Sequence, residues 1–123
     1  MSEIINSDEL PEPRGFSHAV KAGNTVYLAG QTGEGATLAE QFDNAAANLL
    51  TALKAAGGTP DDLVSLQVFV TDVPAYREST MALGRVWRKH FGRRYPAMGL
   101  FGVTELAVPE AMVELMGVAV VQP

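Results

Sequence analysis

The chain has 123 residues, 47% of them hydrophobic, a formal net charge of −5, no cysteine and two histidines, His18 and His90. That is enough apolar material for one domain over 1–123 with an unstapled core, while the lack of cysteine and of clustered histidine excludes disulfides, a thiolate nucleophile and zinc or iron–sulfur sites. The acidic balance opposes a general nucleic-acid binder, because phosphate binding draws on a surface excess of Lys and Arg. The opening "MSEIINSDELPEPRG" has neither the basic flank nor the apolar run of a signal peptide, and no stretch approaches a bilayer span. A soluble cytoplasmic protein with no membrane partner, metal or cofactor is the expectation.

After this proline-punctuated lead, "FSHAVKAGNTVYLAGQ" predicts strands over 16–21 and 25–30, joined at Ala22-Gly23-Asn24 as a hairpin. "TLAEQFDNAAANLLTALKAAGG" sets Thr37 three residues before Glu40, a capping-box pattern, and puts Leu38, Phe42, Ala45, Leu49, Leu53 and Ala56 on one helical face. Gly57-Gly58 stops that helix. "TPDDLVSLQVFVTD" reads as a turn and a strand, with Val64, Leu66, Val68 and Val70 on one face and the mixed set Ser65, Gln67, Phe69 and Thr71 on the other. Asp72 caps a second helix that has Pro74 in its first turn, carries Tyr76, Leu83, Val86, Trp87 and Phe91 as its apolar stripe, and ends at Gly92. Strands over 97–103 and 112–121 complete the order ββαβαββ, an α+β fold with two helices on one face of a mixed sheet. The last strand, "MVELMGVAVV", is apolar almost throughout, so both its faces need cover. Two helices cover one face; sheet packing between copies would cover the other.

Glu114 is the one acid inside that strand, flanked by Val113 and Leu115. A carboxylate there must be paired, protonated or open to a wet cleft, unless the strand edge simply exposes it, which makes Glu114 the leading catalytic candidate. His18, between Ser17 and Ala19, is either a general acid or base near neutral pH or a hydrogen-bonded structural residue. Gly30, in "AGQTG", permits close backbone approach to a ligand or another chain; no phosphate-loop glycine pattern accompanies it. Arg85, Arg88, Lys89, Arg93 and Arg94 gather around the end of the second helix, where a solvated face complementing the helix dipole is favoured over an anion site. No Ser-His-Asp set assembles from local spacing.

The segments "GNTVYLAGQTG", "AAGGTPDDLVSLQVFVTDV" and "YPAMGLFGV", with "MVELMGVAV", resemble the reactive intermediate/imine deaminase family, RidA or YjgF-like, also called L-PSP endoribonucleases and translation inhibitors. The resemblance runs from about residue 14 to 121. It implies a chorismate-mutase-like fold, a homotrimer whose sheets form a central barrel, and small-molecule clefts between neighbouring subunits. In deaminating members, an arginine after the Pro-Ala of the penultimate strand grips the substrate carboxylate and a glutamate of the last strand positions water. A first-strand tyrosine and a second-helix asparagine support the ligand.

Glu114 matches that glutamate and Gly30 the glycine whose backbone lines the cleft, whereas the arginine position is Met98, the tyrosine position Phe16 and the asparagine position Gly84. Met has no donor where Arg offers a planar fork, and losing such a contact in a desolvated site costs about 2–5 kcal/mol. The implied cleft is therefore apolar, walled by Phe16, Met98, Leu100 and Phe101, with Glu114, His18, Ser17 and Gln31 as its polar features. The resemblance then implies binding of a small, largely apolar or uncharged metabolite without the usual carboxylate-dependent imine deamination. The alternatives are an enamine or imine hydrolase in which Glu114 activates water, and a ribonuclease or translation inhibitor, for which this acidic chain offers only the Arg85–Arg94 cluster.

Overall fold

The structure, a computed structural model, describes residues 2–122. Its elements are β1 (Ser2–Ile5), β2 (Ala19–Ala22), β3 (Thr25–Gln31), α1 (Leu38–Ala55), β4 (Leu63–Val70), α2 (Val73–Glu78), α3 (Thr80–Phe91), β5 (Ala97–Gly102) and β6 (Val113–Val120), with a single 3₁₀ turn at Pro60–Asp62. The strands form one mixed sheet in the order β1-β2-β3-β6-β4-β5, in which only β4 and β5 run parallel. Helix α1 lies against β3 and β6 and α3 packs beside α1, giving the α+β layer that the alternating pattern predicts. No helix among the described residues is long and apolar enough to cross a membrane.

Helix α1 starts where a side chain can satisfy its free amides: Thr37 Oγ1 accepts from the Glu40 N–H at 3.1 Å. The Glu40 carboxylate returns to the Thr37 hydroxyl at 3.0 Å, so the expected box closes through the side chain. Leu38, Phe42, Ala45, Leu49 and Leu53 are buried along its inner face as the spacing predicts. Gly57, at φ +88°, ends the helix in the left-handed conformation that a Cβ disfavours.

Four features differ from the sequence expectation. The lead contains β1, a four-residue, largely exposed strand antiparallel to β2, too short for its SEII sequence to signal a strand apart from that pairing. The second helix is two, α2 and α3, because the Ser79 hydroxyl donates to the Ala75 carbonyl at 2.8 Å and interrupts the ladder there. The first predicted strand begins at Ala19 rather than residue 16, since Phe16, Ser17 and His18 belong to the loop that leads into it. A register shift between Leu63 and Ser65 also turns Leu63 into the core and leaves Val64 exposed, against the alternation expected of β4.

The two faces of the sheet are chemically different. Val26, Leu28, Leu66, Val68, Val70, Val113, Leu115 and Ala119 point toward the helices and are buried. The opposite face carries Tyr27, Met116 and Val120, all exposed, together with the row Phe101–Phe69–Glu114 across β5, β4 and β6. The Phe69 and Phe101 rings stack at 5.7 Å on this open face. No helix of the described residues covers it.

Candidate functional site

The pairing register separates the candidate residues. Met98 and Leu100 lie beside Leu66 and Val68, so they share the helix side of the sheet, whereas Glu114 pairs with Phe69 on the open side. Met98 and Glu114 therefore line different hollows of one chain.

The first hollow, about 490 Å³, is formed by the end of β3, the start of β6, the N-terminal loop and the segment before β6, and brings together Phe16, His18, Gly30, Gln31, Glu114 and Met116. The Glu114 side chain lies over Gly30, where a Cβ would push its carboxylate aside; glycine at 30 permits that approach. Glu114 is half-buried, takes part in neither ion pair of the described residues, and burial pushes its carboxyl above the usual range. A raised pKa means that the folded state holds the proton more tightly, so stability falls as pH rises through the folded pKa. Glu114→Gln is accordingly expected to be more stable than the parent at neutral pH and to lose that advantage in acid. Urea unfolding as a function of pH measures this; parallel pH profiles would contradict it.

His18 occupies this hollow's wall but is not free to act there. Its Nδ1 accepts from the Ser7 N–H at 3.0 Å, Nε2 lies 2.9 Å from the Pro11 carbonyl, and its own backbone N–H donates to Asn6 Oδ1 at 2.9 Å. The accepting Nδ1 assigns the proton to Nε2, giving a neutral ring with both nitrogens engaged and 2% exposure. Of the two readings of His18, acid–base group or hydrogen-bonded structural residue, these bonds fit the second, a clasp on the N-terminal segment, whose Leu10, Pro11 and Glu12 complete the wall. Phe16 stands exposed at the rim, its ring edge-on to His18 at 6.2 Å. Ser17 and Leu100 line neither hollow.

The second hollow, about 200 Å³, lies between α3 and β5 and is walled by Phe42, Tyr76, Leu83, Gly84, Trp87, Tyr95 and Met98, with Thr80 at one side. Burial pushes the Tyr76 hydroxyl's pKa up. Trp87 is held by its Nε1–H, which donates to the Arg94 carbonyl at 3.2 Å, and stacks on Phe91 at 4.1 Å and on Tyr95 at 5.7 Å. Gly84 sits inside α3 with only the Arg88 Nη1, at 3.5 Å, near the place of a Cβ. Nothing in the chain forces glycine there, so Gly84→Ala is expected to raise stability by about 0.5–1 kcal/mol, read from denaturant midpoints.

Two arrangements escape sequence reasoning. Asp43 of α1 accepts from His90 Nε2 at 2.6 Å and from Lys89 Nζ at 3.0 Å, fastening α1 to α3; these contacts, His90's first, hold the Asp43 carboxyl below its usual pKa. Part of the basic cluster is thus an interhelical tie rather than a solvated face alone. Gln41, buried on α1, donates to the carbonyls of Gly35 and Glu110 and accepts from the Met112 N–H, while Asn44 and Asn48 hold the carbonyls of Glu34 and Thr32. The amides at steps of three and four are the only signal for this ladder. The largest hollow, about 830 Å³, runs alongside it, and these donors are already spent on the loop backbone.

The family model described as endoribonuclease L-PSP matches residues 7–121. A protein of Dermatophagoides farinae named 2-iminobutanoate/2-iminopropanoate deaminase is 30% identical, with 97% of this chain aligned to 96% of that one. Among solved structures, a Mycobacterium tuberculosis member of the YjgF/YER057c/UK114 family superposes with a TM-score of 0.82 at 31% identity, covering 98% of this chain and 100% of that one. RidA from an Antarctic Psychrobacter superposes with a TM-score of 0.85 at 28% identity, covering 97% and 99%.

Proposed function

This chain belongs to the endoribonuclease L-PSP family, the YjgF/RidA group, and on that premise we propose that it binds a small, largely apolar metabolite in clefts between the subunits of a homotrimer. The observation that carries the reading is Met98 beside Gly84 in an apolar pocket, where deaminating relatives are expected to present an arginine and an asparagine. With no side-chain donor on β5 to hold a substrate carboxylate, the usual deamination of short 2-imino acids is not supported. Assembly is supported by the uncovered apolar face of the sheet, and by hollows on opposite faces that only a second copy could bring into one cleft.

The test follows from the relative named an imine deaminase. Incubated with 2-iminopropanoate generated from 2-aminoacrylate, this chain should release ammonia no faster than the uncatalysed background, and a rate matching an arginine-bearing relative would overturn the reading. Sedimentation velocity should give a trimer.

Glu114 favours a second reading, hydrolysis of an enamine or imine other than a short imino acid, because its carboxylate faces an open hollow with no cation paired to it. Water would add to the C=N carbon as the carboxylate takes one of its protons and passes it to nitrogen, giving a carbinolamine; transfer of the hydroxyl proton to nitrogen, again through the carboxylate, would then break the C–N bond, yielding a carbonyl compound and ammonia. Glu114→Gln should abolish any such turnover, and an unchanged rate would remove the carboxylate from the chemistry.

A further inference from the structure

Resting on the reading that the cleft's ligand is largely apolar, we infer that the pocket between α3 and β5 is a subsite for a single aromatic ring. Its volume is about 200 Å³, and an apolar cavity of roughly 150 Å³ is known to hold benzene. The wall does not collapse into this space, because Trp87 is pinned by the Arg94 carbonyl and stacked on Phe91 and Tyr95, the latter nearly coplanar at 4°. Gly84 opens the floor: glycine inside a helix lowers stability, and only the Arg88 Nη1, at 3.5 Å, comes near the place of its missing side chain.

Two groups distinguish an aromatic from a saturated ring. The Met98 thioether lines the pocket, and sulfur favours contact with π systems. The exposed Arg88 guanidinium, absent from both ion pairs of the described residues, lies at the pocket's edge with its Nη1 3.5 Å from the place of a Gly84 Cβ, from where it can turn against a ring face. The hydroxyls of Tyr76 and Thr80 offer hydrogen bonds to one small polar substituent. The ligand class is therefore a one-ring aromatic compound with a short polar group.

Trp87 is the chain's single tryptophan, so its emission reports on the pocket directly. Titration with benzyl alcohol should change Trp87 fluorescence saturably, and cyclohexylmethanol, matched in size and hydroxyl, should bind about fivefold more weakly. Arg88→Gln should remove most of that difference. Gly84→Leu should abolish the response while circular dichroism shows a folded chain; should it misfold, backbone amide shifts at Thr80 and Gly84 on titration of the parent protein carry the same information. Equal affinity for the two alcohols, or no saturable response to either, would overturn the inference. The lining side chains named here already form the pocket in a single chain, so a monomer would still give the response. A monomer in sedimentation would overturn the inter-subunit reading and leave this one standing, and a trimer without ring preference would do the reverse.

Discussion

His18→Ala is expected to lower the free energy of unfolding by about 2–4 kcal/mol. The substitution strands the Ser7 amide and the Pro11 carbonyl, both now bonded to the imidazole, and removes a ring that is 2% exposed. The effect should be local as well as global: amide exchange over residues 6–12 should accelerate well beyond that of the sheet, because the clasp is what holds this segment against β2. A histidine placed for acid–base chemistry would give the opposite pattern, a lost rate with stability intact. Unchanged denaturant midpoints would therefore remove the clasp and restore a chemical role to His18.

Met98→Arg should give the second large effect, a gain of at least about tenfold in affinity for a short 2-oxo acid such as pyruvate. Position 98 is 43% exposed and faces the pocket, so a guanidinium there keeps its hydration until a carboxylate arrives, and solvent screening limits the gain to the lower end of the range for charge-assisted contacts. Gly84 leaves room for the added bulk. Isothermal titration of parent and variant measures the difference. Equal affinities would mean that a ligand carboxylate does not lie against β5, and would detach Met98 from the family's binding mode.

What could be read from the residues follows the range over which each determinant acts. The face of α1 is legible because Leu38, Phe42, Leu49 and Leu53 repeat at the helix's own period, and Glu114 stands out because an acid interrupts an apolar run. β1 is not legible, since a four-residue strand exists through hydrogen bonds to β2 that so short a run does not announce. The break at Ser79 turns on one hydroxyl choosing a carbonyl four residues back, and serine alone does not say which choice it makes. His18 looks the same in sequence whether it serves chemistry or a loop; its partners lie 7 to 12 residues away on a segment without regular pattern. The separation of Met98 from Glu114 follows from strand order and register, which alternating apolar residues leave undetermined.

The strand order also has a consequence for how the chain is made. β6 comes last in sequence yet lies in the middle of the sheet, bridging β3 on one side and β4 on the other. During synthesis the β1–β2–β3 unit and the β4–β5 pair can each form as they emerge, but no strand pairing joins them until β6 has left the ribosome. Both would wait with open edges and uncovered apolar surface, so completion of this fold depends on long-range pairing by β6. A nascent chain stalled before β6 is released should bind holdase chaperones and resist compaction, and only the addition of those last residues should make it protease-resistant.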